Sequence, residues 1–430
     1  MKAAAYATIL LSTALAIGAA AGEEVVAPPR PLSLDWCLER ARAANAGLAV
    51  ETAAWLAAQH RVPQAGALDD PRFGYQASNL PVRDLDFRST PLSGQQLTLA
   101  QKLPFPGQLR SRRQAARAGA KAAEEELANR RRLVAATVET TWAELGFAQR
   151  AIEITDRNLD LLRQLTRIAE AKYRVGSGLQ QDLIRAQVEL TRLLELRLQR
   201  QAAIRRAEAR LAELLDLPPE TSLPPTEALI QAAETAPIPD LFELVAQLEG
   251  SSPLLRGLAA RVEEADRLRT SARLEGLPDF DLGLGYRVRE RVAGDPVEGQ
   301  DFLFAGVTLR LPINRWKWKA RVAEREALWR RARAQARAAR AHLRAKVRTA
   351  HAELVRADAA ESLLRTGLVP QTRQSLASSR SGYEVDKVDF LSLVDSQVRL
   401  LDAELALVRA RADRRSAFAA LELAVGEELR

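Results

Sequence analysis

The sequence predicts a mainly α chain with a β-barrel part, built as a tandem duplication of one supersecondary unit. Three observations carry this expectation. An internal repeat recurs at about half the chain length, two pairs of segments alternate apolar and polar residues, and the helical segments far exceed the roughly 8 to 20 residues of a globular helix.

The repeat is collinear. Tyr173-Arg174-Val175 through Gln187-Val188-Glu189-Leu190 aligns without a gap to Tyr383-Glu384-Val385 through Gln397-Val398-Arg399-Leu400. Upstream, Ala143-Glu144-Leu145 meets Ala352-Glu353-Leu354, Leu103-Pro104 meets Leu311-Pro312, Pro71 and Phe73 meet Pro278 and Phe280, and Leu48 meets Leu255. Matches in this order across nearly the whole chain are poorly explained by chance likeness between Ala/Leu-rich helices. Each half is therefore expected to be the same unit.

At the N-terminus, Met1 and Lys2 precede an apolar run from Ala3 to Ala20 that closes on small residues, the pattern of a cleaved signal peptide over 1–22. No other apolar stretch reaches the roughly 20 residues that a membrane-spanning helix needs. Any spanning part must then be β. The only cysteine, Cys37, can form no internal disulfide and reads as a small buried hydrophobe. The formal net charge of +8 comes from Arg spread along helices among Glu and Asp. That spacing describes solvated helix faces, and export removes the usual nucleic-acid partners, so no nucleic acid is expected.

The first unit, 23–216, is expected to hold a helix from Ser33, its N-cap, to Arg61, a hairpin over 72–103 with strands 72–80 and 96–103, a helix from Gly107 to Arg174, and its partner from Leu179 to Leu215. Repeated prolines in 217–240 exclude a helix and mark the linker, an equatorial region. The second unit, 241–430, has a hairpin over 279–311 with strands 279–289 and 302–311, then helices from Arg315 to Tyr383 and from Asp389 to Leu423. Pro370 is expected to bend the longer one.

In the strand from Asp279 to Arg289, Phe280, Leu282, Leu284, Tyr286 and Val288 share one face, and the partner places Leu303, Ala305, Val307, Leu309 and Leu311 on one side. Segments of about ten residues with this alternation are what a transmembrane barrel strand requires. A half-buried soluble hairpin would alternate equally. The long helices leave no globular core for these faces to cover, which favours the membrane. Four strands cannot close a barrel, and an open edge in lipid leaves backbone groups unsatisfied at several kcal/mol each. The barrel must be shared between protomers, and three copies would give twelve strands.

A helix from Gly107 to Arg174 would extend on the order of 100 Å at about 1.5 Å per residue. Apolar residues recur at sevens in Val138, Leu145, Ile152 and Leu159, in Leu183, Leu190, Ile204 and Leu211 with Arg197 interrupting, and in Leu391, Val398, Leu405, Ala412 and Ala419. Such seams predict helices paired side by side. They fit a tube wall and a self-packed αα-hairpin alike.

With these residues assembled, the chain resembles the outer-membrane efflux (TolC-like) family over essentially all of its mature length. The most specific matches are Gln101-Lys102-Leu103-Pro104-Phe105-Pro106-Gly107-Gln108 at the strand-to-helix junction, Tyr173-Arg174-Val175-Gly176-Ser177-Gly178 at the first tip, and Tyr383-Glu384-Val385 with Val388-Asp389-Phe390-Leu391 at the second. The Pro-Phe-Pro-Gly junction resembles the heavy-metal branch that works with resistance-nodulation-division (RND) pumps. The resemblance implies a TolC-like fold: a homotrimer with a shared twelve-stranded barrel in outer-membrane lipid and a periplasmic α-helical tunnel. It also implies a periplasmic adaptor (membrane fusion) protein and an inner-membrane RND transporter as partners. The N-terminal lipid anchor common in relatives is not expected, because no Cys stands near the end of the signal segment.

The candidate adaptor-docking and gate residues are Tyr173, Arg174, Val175, Gly176, Ser177, Gly178 and Asp182 at the first tip, and Tyr383, Glu384, Val385, Asp386, Lys387, Asp389 and Asp395 at the second. Ordinary capping and solvated charge is the alternative for the same residues. Pro104, Pro106, Gly107 and Pro312 form the junctions. One departure stands out: Asp386 occupies the place of Gly176, so either the second turn differs in shape or Asp386 brings charge to the inner mouth.

No catalytic set is visible, since there is no phosphate loop or nucleophile elbow, and His60, His342 and His351 are not spaced as ligands. No enzyme activity, cofactor or metal site is expected. The function expected is an exit duct conducting heavy-metal cations passively. A channel of the same family for drugs or for type I protein export is one alternative, and a soluble periplasmic coiled-coil adaptor or scaffold is another.

Overall fold

A computed structural model describes residues 27–218, 220–227 and 238–429. The signal segment 1–22 and much of the linker 217–240 lie outside the described residues.

The described chain begins with helices α1 (Leu34–Ala44) and α2 (Ala46–Ala65), strands β1 (Arg72–Ser78) and β2 (Gly94–Leu103), and helices α3 (Gln108–Arg174) and α4 (Gln180–Leu215). The same order then recurs: α5 (Leu241–Ser251), α6 (Pro253–Leu274), β3 (Asp279–Val288), β4 (Phe302–Arg310), α7 (Arg315–Leu363), α8 (Val369–Glu384) and α9 (Phe390–Val425). Both short N-terminal helices are capped by side chains, Ser33 Oγ accepting from the Trp36 amide and Asp240 from those of Phe242 and Glu243.

Two expected helices are interrupted. Instead of one helix from Ser33 to Arg61 there are two, because Asn45 leaves the helical backbone to cap α2 at the Leu48 amide while its Nδ2 donates to Leu214 O at 2.9 Å. The disturbance at Pro370 takes the form of a π turn over Leu364–Leu368. Proline has no amide to donate and its ring crowds the carbonyl four residues earlier, so the ladder loosens just before it.

The strands form one antiparallel sheet in the order β1-β2-β3-β4, leaving β1 and β4 as open edges. The helices follow the same order: near the sheet α2 packs on α3, α3 on α6 and α6 on α7, while toward the tips α4 packs on α3, α3 on α9, and α9 on α7 and α8. Sheet and helices are thus one continuous wall with two unpaired sides, β1 with α2 and α4, and β4 with α7.

The buried core sits midway along this wall. Leu32, Cys37, Leu38, Val138, Trp142, Leu145, Leu211 and Leu215 form one cluster, with Trp142 Nε1 donating to Leu32 O at 3.1 Å. Burial pushes the Cys37 thiol up to about 12, which keeps it an inert hydrophobe. Leu244, Leu248, Leu343, Val347, Leu354 and Leu421 form a cluster in the other half. Arg415 of α9 and Glu139 of α3 make a buried ion pair at 2.7 Å.

The seam expected on α4 is only partly buried. Leu211 is enclosed, but Leu183, Leu190 and Ile204 are half-buried, and Ala186 and Leu193 are buried instead. The reason is that α4 has essentially one long neighbour in its own chain, α3.

Candidate functional site

The register turns alternation along each strand into a face across the sheet. Phe73 pairs with Leu99 and Tyr75 with Leu97. Leu97 pairs with Tyr286, Leu99 with Leu284 and Leu103 with Phe280, and Leu309, Val307, Ala305 and Leu303 pair with Phe280, Leu282, Leu284 and Tyr286. Cross-strand partners share a face, so these residues form one apolar band. No core covers it: Phe73 is 72%, Val307 67% and Leu303 78% exposed. Every charged strand residue, namely Arg72, Lys102, Asp279, Asp281, Arg287 and Arg310, lies on the opposite face.

At the first junction Gly107 takes φ +96°, a left-handed conformation. Pro104 and Pro106 have no amide to satisfy, the Gln108 amide donates to Phe105 O at 3.0 Å, and Asp279, at the start of β3, holds the Phe105 amide and the Gln108 side chain. Its Oδ1 accepts from the Phe105 amide at 3.1 Å and from Gln108 Nε2 at 3.2 Å, and Gln108 also donates to Leu274 O at 3.0 Å. Asp279 was not among the expected junction residues, although an acidic residue opening an apolar strand was the available signal. At the second junction Pro312 is followed by a tight turn in which the Ile313 amide donates to Leu311 O at 3.0 Å.

The two tips close alike. Gly178 N donates to Lys172 O at 3.1 Å and Val388 N to Gly382 O at 3.3 Å. Gly176 sits at φ +77° and Asp386 at φ +58°, so the second turn keeps the left-handed shape with an aspartate in it. Its carboxylate is paired, with Asp386 Oδ1 2.5 Å from Lys172 Nζ of the other tip. Lys172 Nζ also donates to Tyr383 O at 2.7 Å and stands 4.3 Å from the Tyr383 ring centroid.

Lys172 was missed, yet the repeat carried its signal. Each turn brings residue 172 against 178, or 382 against 388. A Cβ on Gly178 would stand 3.1 Å from the Lys172 Cβ, and one on Gly382 would stand 2.5 Å from Val388 Cγ2. Only one of each pair can carry a side chain, and the first tip gives that place to a cation while the second carries an anion where the first has Gly176.

The remaining tip residues divide. Tyr383 is buried against Phe390, ring centroids 5.6 Å apart, among Leu165, Ala169, Ala186 and Leu393. Burial, then the nearby Asp182 and Asp386 carboxylates, raises its pKa. Asp389 caps α9 by accepting from the Ser392 amide at 2.7 Å. Asp395 pairs with Arg399 at 2.8 Å and Glu384 with Arg380 at 3.4 Å, each along its own helix. Tyr173, Arg174, Val175, Ser177, Val385 and Lys387 are exposed, and neither Arg174 nor Lys387 makes an ion pair among the described residues.

Among the described residues no group of His, Cys, Asp and Glu could hold a metal ion, and no helix is long and apolar enough to cross a membrane. The wall, its apolar band and its paired tips define a class: a channel protomer with a membrane-facing sheet continued by a helical tunnel. The profile of the outer membrane efflux protein family matches residues 37–216 and 244–427, and the chain belongs to that family. It is a passive outer-membrane efflux channel and not an enzyme.

Solved structures agree in fold. VceC from Vibrio cholerae superposes with a TM-score of 0.77 at 20% identity, covering 92% of this chain and 97% of that one. CusC gives 0.77 at 16% identity with 92% of each chain covered. CmeC from Campylobacter jejuni gives 0.77 at 14%, covering 92% and 87%. A search of curated protein sequences finds no match.

Proposed function

We propose that the chain is the exit duct of a tripartite pump: a homotrimer whose three sheets close one twelve-stranded barrel in outer-membrane lipid and whose helices form a periplasmic tunnel. The two units, 23–216 and 241–430, each supply one hairpin and one tip. The carrying observation is that the uncovered apolar band ends on two open edges, β1 and β4. In lipid each unpaired edge group would cost several kcal/mol, so the edges must meet those of other copies.

The tips form the inner mouth. The bond from Lys172 to Asp386 and Tyr383 ties the first tip to the second, and parting them would widen the opening. Exposed Tyr173, Val175, Arg174, Val385 and Lys387 offer a mixed apolar and cationic surface to a periplasmic adaptor, which joins the duct to an inner-membrane RND transporter. The Pro-Phe-Pro-Gly junction supports heavy-metal cations as the cargo. The signal segment would direct the chain to the envelope.

Expression of the full chain, envelope fractionation and light scattering of the solubilised complex test the assembly: a trimer from the outer membrane is expected, and a soluble monomer would overturn it. Removing the chain from its host should lower tolerance to heavy-metal cations while leaving tolerance to antibiotics and dyes unchanged. The reverse pattern would assign drugs as the cargo.

A further inference from the structure

Two exposed residues have chemistry that a single chain leaves unused. Trp316, in the first turn of α7, is 74% exposed. Arg72, at the start of β1, is exposed and makes no ion pair or hydrogen bond through its side chain among the described residues. They lie on the two opposite open sides of the wall.

The repeat supplies a template for where they belong. Within the chain, the side of the first unit that carries β2 and α3 is joined to the side of the second that carries α6 and β3. The side carrying β4 and α7 is the copy of the former, and the side carrying α2 and β1 is the copy of the latter. The match of Leu103 to Leu311 carries Gln108 onto Trp316, and the match of Phe73 to Phe280 carries Arg72 onto Asp279. Gln108 and Asp279 are the two residues bonded across the internal seam, at 3.2 Å.

We infer that the seam between two copies of this chain repeats the internal seam residue for residue, with a Trp316–Arg72 cation–π contact in place of the Gln108–Asp279 hydrogen bond. The inference rests on the trimeric reading above and adds the register to it. Internally Leu103 pairs with Phe280. The same step between copies pairs Leu311 of one with Phe73 of the next, and Leu309 with Tyr75. All four belong to the apolar face, so this register continues the band without a break, whereas a slip of one residue would turn the added strand's apolar side into the lumen.

The chemistry of the exchange is consistent. A guanidinium over an indole face is attractive and needs no third partner, and it uses two side chains that are otherwise solvent-exposed. In the internal seam the equivalent pair is drawn together by a carboxylate that also holds the Phe105 amide. The subunit seam is therefore expected to be the looser of the two at this junction.

The test uses the full chain in its membrane. Leu309→Cys with Tyr75→Cys should give oxidant-dependent covalent trimers. Within one chain these strands are separated by two others, roughly 14 Å at about 4.8 Å per step, too far for a disulfide. Leu309→Cys with Phe73→Cys, displaced by one pairing step, should cross-link at least fivefold less. Arg72→Gln and Trp316→Leu should each lower the temperature at which trimers dissociate, and the double variant should fall no further than the worse single one. A trimer by light scattering that cross-links best in the displaced register, or in which the two substitutions simply add, overturns the seam while leaving the trimer standing. Absence of the trimer from untreated protein overturns the assembly itself.

Discussion

The two helical hairpins descend from one repeated unit, but they are enclosed to different degrees. In the second, Tyr383 is 5% and Phe390 1% exposed, and α9 lies between α3, α7 and α8. In the first, Tyr173 is 45%, Ile184 52% and Val188 60% exposed, and α4 leans on α3 alone for most of its length. Sequence duplication therefore fixes the helix pair, while position in the wall decides which copy has its faces covered. An apolar stripe left bare in one copy and buried in the other marks where a neighbour is missing.

The contrast can be broken at several places, and the largest effect should come from Phe390. Phe390→Ala removes the ring that seats Tyr383, and a cost of about 3–5 kcal/mol to the second tip is expected. Gln180→Ala, at the matching place in the first tip, should cost almost nothing. Hydrogen exchange of the amides around each tip reads both, and equal protection losses would refute the asymmetry.

Next comes the buried pair. Arg415→Ala strands Glu139 without its counter-charge in a dry site and should cost roughly 3–5 kcal/mol in thermal or denaturant unfolding. Arg205, its counterpart on α4, is exposed, so Arg205→Ala should stay within about 0.5 kcal/mol.

A smaller effect is expected where the tips meet. Asp386 is largely exposed, with 72% of its side chain accessible, so its bond to Lys172 is worth at most about 1 kcal/mol, or roughly fivefold in the balance between joined and parted tips. Asp386→Gly should raise single-channel open time by up to that factor, and exchanging the charges with Lys172→Asp and Asp386→Lys should restore it. If the single and exchanged variants conduct alike, the bond does not hold the mouth.

The smallest concerns acid. Hydrogen bonds from the Ser392 hydroxyl and amide hold the Asp389 carboxyl below the usual carboxylate range. A depressed pKa contributes stability above the unfolded value near 3.9, and that contribution is lost as pH falls through the folded value. Below about pH 4 the first turn of α9 should fray, seen as faster exchange at Ser392, whereas α4, which has Leu179 in that place and no side-chain cap, should not respond.

Much of this was legible in the chain itself. Period-two alternation located four strands to within about two residues, because a membrane face tolerates few errors, and the repeat located both tips because turn geometry restricts residues 176 and 386 to a left-handed backbone. The break at Asn45 was not legible, since it depends on a bond to Leu214 far along the sequence. Lys172 was overlooked for a related reason. Its partner lies across the wall, and only a comparison of Lys172 with Gly382 and of Gly176 with Asp386 shows that the two tips exchange charge for glycine. Asp182 and Asp395 looked equivalent as tip acids, but one lies near Tyr383 and the other turns along its own helix.

The matched order of strands and helices leaves each copy with one side that gives and another that receives, and neither can substitute for the other. The ring proposed above would have no self-complementary contact and would tolerate no defective member. A chain with a proline in β4 could still be joined through β1 but could not pass the closure on. In a cell making equal amounts of sound and damaged chains, mixed at random in threes, only about one ring in eight would be wholly sound. One faulty copy of this gene product would therefore act as a dominant poison rather than a silent loss.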